Sequence, residues 1–204
     1  MTGHFIAFEG GEGSGKSTQA RRLAERLGRR AVLTFEPGDS PLGAEVRRLL
    51  LDTPDLEITD RAEALLMAAD RAQHVVEVIQ PALETGQTVI TDRFAGSSIA
   101  YQGYGRQLDA VEVERLSRWA TDGLWPDLVV LLEVSPSHAE GRLARAKDRV
   151  ESAGATFHTR VHDGFLVQAM ADPDRWAIVD GTGSQDEVAA AIWAIVSIRF
   201  PDLS

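Results

Sequence analysis

Gly10 and Gly15 are separated by four residues in the stretch FEGGEGSGKST (residues 8–18), and Lys16, Ser17 and Thr18 follow at once. That is the full G-x-x-x-x-G-K-[ST] spacing, and each residue type has a physical task in it. Gly10, Gly11, Gly13 and Gly15, interleaved with Glu12 and Ser14, let consecutive backbone N–H groups turn inward around a phosphate. A helix starting after the loop adds unpaired N–H groups and the positive end of its dipole. Lys16 places a point charge at the outer phosphates, and the Ser17 hydroxyl is suited to ligate Mg²⁺. The implied chemistry is nucleoside triphosphate binding by residues 10–18.

A triphosphate loop does not choose the reaction. A hydrolase needs a positioned water, a switch needs loops that sense the outer phosphate, and a kinase needs an acceptor site. Three further groups of cations bear on the choice. TDRF (91–94) puts Asp92 and Arg93 at the end of a strand-like run. Arg71, in ADRAQH (69–74), follows the apolar run Leu65–Ala68, so it needs an anionic or hydrogen-bonding partner. The bland alternative is an ion pair of Arg71 with Asp70 or Glu63. Arg47, after EPGDSP, is a weaker candidate. RLARAKDR (142–149) holds four cations and one anion, and on a helix Arg142, Arg145 and Arg149 would share a face. The loop-like ESAGATFHT after it suggests a mobile lid, at about 142–157, that closes over a triphosphate and excludes water. Solvated cations at a helix end would look the same.

Strands and helices must alternate to hold these groups. Phe5–Phe8 is a buried-strand tetrad ahead of the loop, and residues 16–27 have helical spacing stopped by Gly28. AVLTF (31–35), QTVIT (87–91), DLVVLLEV (127–134) and AIVD (177–180) read as further strands. A long helix is expected from about Asp60 to Thr85, with Asp60 and Glu63 as its capping pair and Pro81 kinking its last turn. DAVE (109–112) opens another helix, Ser135 with Pro136 another, and Ser184 with Glu187 the last. The alternation predicts an α/β fold: one domain over 1–204 with a parallel sheet of about five strands, helices on both faces, and ligands outside the C-terminal strand ends.

Composition narrows the partners. The net charge of −10 over 204 residues argues against bulk nucleic-acid or anionic-membrane binding, so an anionic ligand must meet a local basic cluster. Cysteine is absent, which excludes disulfides, thiolate metal sites and cysteine nucleophiles. The longest apolar run, VAAAIWAIV, is too short to span a bilayer. A cytoplasmic protein is expected. The five histidines are scattered without metal-ligand spacing.

Taken together, FEGGEGSGKST, FEPG, DRAQHVVEVIQPAL, TDRFAGSSIAYQGYGR and DRVESAGATFHTR resemble bacterial thymidylate kinases over nearly the whole chain, in the same order. The resemblance implies a P-loop kinase fold, a homodimer, and transfer of the γ-phosphate of ATP to dTMP with Mg²⁺. It implies that Arg93 holds the dTMP phosphate, that Arg71 meets the thymine edge, and that Ser98 hydrogen-bonds the base. Tyr101 would pack beneath the deoxyribose and disfavour a 2′-hydroxyl, with Gln102 beside it. Glu12 would lie near the 3′-hydroxyl. Arg149 would bridge the two nucleotides, with Arg145 on the ATP side, in place of a basic residue at the loop position held by Gly13. Three positions depart from the family pattern: Phe35 stands where arginine is common, Met67 where a phenylalanine would stack on thymine, and Glu133 where aspartate is usual. Another nucleoside or nucleoside-monophosphate kinase, or a non-catalytic nucleotide switch, are the competing functions.

Overall fold

Phe5, Ile6, Ala7 and Phe8 are all buried, and they divide between two cores. Ile6 and Phe8 face one side of β1 (Phe5–Glu9), against α1 (Lys16–Leu27) and the C-terminal helix. Phe5 and Ala7 face the other, against Val75, Ile79 and Phe94. A strand covered on both sides must read as a continuous apolar run, and burying each large side chain contributes about 2 kcal/mol.

The computed structural model describes residues 3–53, 55–135 and 154–204. Five strands form one parallel sheet in the order β2-β3-β1-β4-β5, with β2 at Ala31–Phe35, β3 at Thr88–Asp92, β4 at Leu128–Glu133 and β5 at Trp176–Asp180. β1 is central, and Phe8 is level with Asp92 on one neighbour and with Val130 on the other. That register puts the phosphate loop, the 93–98 segment and the 36–40 turn at one edge. The α/β expectation of about five strands is met.

Helices α2 (Pro41–Leu51), α3 (Asp60–His74), α4 (Gln80–Glu84), α5 (Ala95–Ser98), α6 (Ala110–Ala120), α7 (Ala155–Ala171) and α8 (Gln185–Arg199) complete the described chain. Asp109 caps α6, and Ser184 with Glu187 forms a reciprocal capping box on α8, as their spacing predicts.

The long helix differs from expectation in two ways. Its cap is Thr59, whose hydroxyl accepts from the Ala62 N–H, not the Asp60–Glu63 pair. Glu63 is fully buried instead, because it has donors on the inner face. The helix also widens to π-helical bonding over Val75–Ile79, where the Gln80 N–H reaches Val75 O. Pro81 has no N–H to return to Glu77, so the turn before it takes up the mismatch. The loop-like reading of ESAGATFHT is corrected in part: Ala155, Thr156 and Phe157 begin α7, and Phe157 is buried beside Tyr101. Pro136 and residues 142–153 of the expected lid, Arg142, Arg145 and Arg149 among them, lie outside the described residues.

Candidate functional site

Two cavities open at the C-terminal edge of the sheet, and the phosphate loop is the wall between them. One, of about 620 Å³, lies between residues 12–19 and the turn Gly181–Gln185 after β5. The other, of about 400 Å³, extends from Glu12, Lys16 and Ser17 across to Arg93, Tyr101 and Arg71. Glu12, Lys16 and Ser17 line both.

The loop's shape follows from its glycines. Gly10 has φ +140°, and a Cβ there would stand 2.6 Å from the Leu132 carbonyl oxygen. Gly15, at φ +97°, is the N-cap of α1 and provides no side-chain cap, so the first N–H groups of the helix are left for an anion. Ser14 is buried, and Thr18 lines the larger cavity. Lys16 lies back across the loop, donating to Gly11 O at 2.7 Å and Ser14 Oγ at 3.3 Å. Burial lowers its pKa to about 8, with repulsion from Arg93 adding to this against the attraction of Glu12, Asp92 and Glu9.

Arg93 follows β3 with φ 75°, unusual for a residue with a Cβ, and such strain costs on the order of 1–3 kcal/mol. Its guanidinium donates to Gly10 O at 3.1 Å, Ser97 Oγ at 2.9 Å, Tyr101 Oη at 3.3 Å and the Glu12 carboxylate. Thus Arg93 turns toward the phosphate loop, and its acidic partner is a member of that loop. Burial opposes its charge, but Glu12, Tyr101 and Asp92 outweigh that and raise its pKa. Burial also raises the pKa of Tyr101, whose hydroxyl donates to Glu12 at 3.3 Å.

Behind this cluster stands Glu9, which the sequence reading passed over. Its buried carboxylate accepts from the N–H groups of Phe94 and Ser97, each at 3.0 Å, and from Ser97 Oγ at 2.6 Å. It therefore fixes the turn that carries Arg93. Burial pushes its pKa up to about 7 against those hydrogen bonds and Arg93. An acid ending an otherwise apolar strand was the available signal.

Arg71 is buried, and its partner is neither Asp70 nor Glu63 but Glu36, at 2.8 Å. Asp70 instead accepts from the Gly38 N–H at 3.0 Å and fixes the 36–40 turn. Arg71 also donates to Ser98 Oγ at 3.0 Å, Ser117 Oγ at 3.2 Å and Phe94 O at 3.3 Å. His74 lies under Glu36, with Nδ1 at 2.9 Å from its carboxylate and Nε2 at 2.5 Å from Thr34 Oγ1. Gln102 Nε2 donates one hydrogen bond to Glu63, at 2.8 Å, while its Oε1 is buried with no hydrogen-bond partner. Arg47 donates to Pro37 O at 2.8 Å and, with Met67 and Phe35, lines the smaller cavity. All the predicted acceptor-side residues therefore meet around one space. Glu133 lines neither cavity and faces His162, 3.7 Å away.

The Ser17 hydroxyl donates to Asp92, whose other carboxylate oxygen is buried and has no hydrogen-bond partner. Among the described residues no three acidic or histidine side chains form a metal cluster. Mg²⁺ bound with a nucleotide needs only one or two protein oxygens beside phosphates and water, and Ser17 with Asp92 fits that demand.

The family model for thymidylate kinase matches residues 8–192. The chain belongs to the thymidylate kinase family. It is 48% identical to a thymidylate kinase of Bifidobacterium longum subsp. infantis over 99% of this chain and 89% of that protein. It is 50% identical to that of Cutibacterium acnes over 94% and 95% of the two chains. The crystal structure of thymidylate kinase from Ehrlichia chaffeensis superposes with a TM-score of 0.81 at 31% identity, covering 96% of this chain and all of that one. This thymidylate kinase chain has, among its described residues, no helix long and apolar enough to cross a membrane.

Proposed function

We propose that the larger cavity holds ATP, that the smaller one holds dTMP, and that the γ-phosphoryl group passes between them to give ADP and dTDP. The observation that carries this reading is the pair of cavities with Glu12, Lys16 and Ser17 as their common wall. A hydrolase or a switch has no use for the second, which is walled by the buried Arg71 and the partly buried Arg93.

The second pKa of a phosphate monoester is about 6, so near pH 7 the acceptor oxygen is already ionised. No general base is required. An oxygen of the dTMP phosphate forms the new bond to the γ-phosphorus as the bond to the β–γ bridging oxygen breaks, and the electron pair leaves with ADP. The difficulty is bringing two polyanions into line, so catalysis is positioning and charge neutralisation. Lys16 and the loop N–H groups hold the outer phosphates of ATP. Arg93 holds the dTMP phosphate, and Glu12, exchanged out of its ion pair, turns to the 3′-hydroxyl. Mg²⁺, when bound beside Ser17 and Asp92, would neutralise phosphate oxygens. Tyr101 underlies the sugar, and Met67, soft and polarisable, lies against the base. Arg71 donates toward O4 of thymine with Ser98 beside it, and Gln102 Oε1 accepts from N3–H. Arg47 braces the wall. Arg149 and Arg145 close over the phosphates from the lid, so Arg149→Ala should lower kcat by roughly 10³-fold.

The exposed Leu65 and Val76 on the 60–79 stretch support a homodimer, which sedimentation would test. The chain is expected to work in the cytoplasm without nucleic-acid or membrane partners. A coupled assay with ATP, Mg²⁺ and each of dTMP, dUMP, CMP, AMP and thymidine tests the reaction. Preference for dTMP supports the reading; preference for a ribonucleotide overturns the role of Tyr101; ATP binding without transfer to any acceptor overturns the whole.

A further inference from the structure

A primary amide can present either a carbonyl or an amino group to a ligand, and a half-turn exchanges them. At Gln102 that choice is closed. Its Nε2 lies 2.8 Å from Glu63 Oε1, and Glu63 is fully buried and ion-paired to Arg106, whose NH2 lies 3.1 Å from Oε2. Arg106 Nε adds a bond to Oε1 at 3.3 Å, and Asp60 stands 3.5 Å from the same guanidinium. A carboxylate held in such a pair only accepts. Rotating the amide would press a carbonyl oxygen against it in a buried place, with two acceptors facing and no donor between them. Gln102 lines the 400 Å³ cavity, and its carbonyl, fixed on the side away from Glu63, is a buried acceptor that has no hydrogen-bond partner. Arg71, across the same wall, offers only N–H donors.

We infer that Glu63 is a positioning residue for base selection: it fixes the Gln102 amide so that the site accepts a base edge carrying an N–H beside a carbonyl and rejects one carrying a ring nitrogen acceptor beside an amino group. Thymine and uracil have the first edge, and cytosine the second. The inference rests on the smaller cavity holding the acceptor base. Glu63 touches no substrate; it acts through Gln102, with Arg106 as its ion-pair partner. A site whose polar groups are set for one hydrogen-bond pattern discriminates strongly, because the wrong base leaves buried groups unpaired.

The experiment compares kcat/KM for dTMP and dCMP in the wild type, Glu63→Gln, Gln102→Met and the double variant. Both substrates are run on one preparation, so any loss of folded protein cancels in the ratio. With Glu63→Gln the neighbour can donate as well as accept, the Gln102 amide can turn, and the dTMP-to-dCMP ratio falls at least tenfold, carried by KM. On the Gln102→Met background, Glu63→Gln leaves the ratio within about twofold. If Glu63→Gln alone does not accumulate because Arg106 is left unpaired, Glu63→Gln with Arg106→Gln removes both charges and is read in the same way. A ratio unchanged by the substitution, or one shifted equally with and without Gln102, overturns the role of Glu63. Failure of the acceptor reading is separate: it shows in the wild type, as no preference for dTMP.

Discussion

Replacing Glu9 by glutamine should change how stability depends on pH. The carboxyl is buried and carried from its ordinary 4.5 to about 7. A carboxyl whose folded pKa is raised binds more protons folded than unfolded between those two values. Its contribution to stability is therefore complete below about pH 4.5 and is lost as pH rises through 7. At about 1.4 kcal/mol per pH unit, the loss by pH 8 is roughly 3 kcal/mol. Glutamine has nearly the same shape, and its carbonyl can keep the Phe94 and Ser97 N–H bonds, but it does not titrate. Urea denaturation of both proteins from pH 5 to 8.5 isolates the group, since all other carboxyls are common to the two. The difference in unfolding free energy should move toward the variant by roughly 2–3 kcal/mol across that range, since part of the loss precedes pH 5, with equal urea slopes. Curves parallel to within about 0.5 kcal/mol would refute a Glu9 that is held protonated by burial.

Arg93→Met removes the charge that faces the smaller cavity beside the shared wall, and kcat should fall by roughly 10³-fold or more. Because Arg93 is one cause of the lowered Lys16 pKa, the alkaline limb of any residual activity should move upward in the same variant. In the wild type, the Lys16 ammonium near 8 is charged below that pH and lost above it, so equilibrium titration should show ATP affinity weakening toward tenfold per pH unit above pH 8; a flat profile to pH 9 would remove Lys16 from phosphate binding. Gly10→Ala sets a Cβ 2.6 Å from the Leu132 carbonyl at φ +140°, and a denaturation midpoint should report destabilisation of about 1–3 kcal/mol.

The phosphate loop was legible because its chemistry is local: glycines, lysine and serine act within nine residues of chain. The strands were legible for the same reason, since an apolar run such as LVVLLE needs no partner to be read. The Asp109 cap and the Ser184–Glu187 box were equally local. What escaped depended on distance along the chain. The partner of Arg71 is Glu36, 35 positions away, whereas the sequence offered only its neighbours Asp70 and Glu63. Glu63 imitated a cap because its spacing from Asp60 suits one, yet donors on Gln102 and Arg106 claim it. Helix α7 began inside what read as a loop, because Phe157 acquires its packing from Tyr101, 56 positions earlier. The π-helical turn before Pro81 has no composition signal of its own; it is the backbone's response to one missing donor.

The wall common to the two chambers has a thermodynamic consequence. Near pH 8 the Lys16 amine is about half protonated in the empty protein, and a polyanion arriving on either side favours the charged form. The first nucleotide to bind thus draws a proton out of solution, and the second finds the ammonium already formed. In alkaline buffer the two ligands should assist each other through that shared proton, although their phosphates repel. The cooperativity should fade as the medium is acidified and the amine is charged before either of them comes.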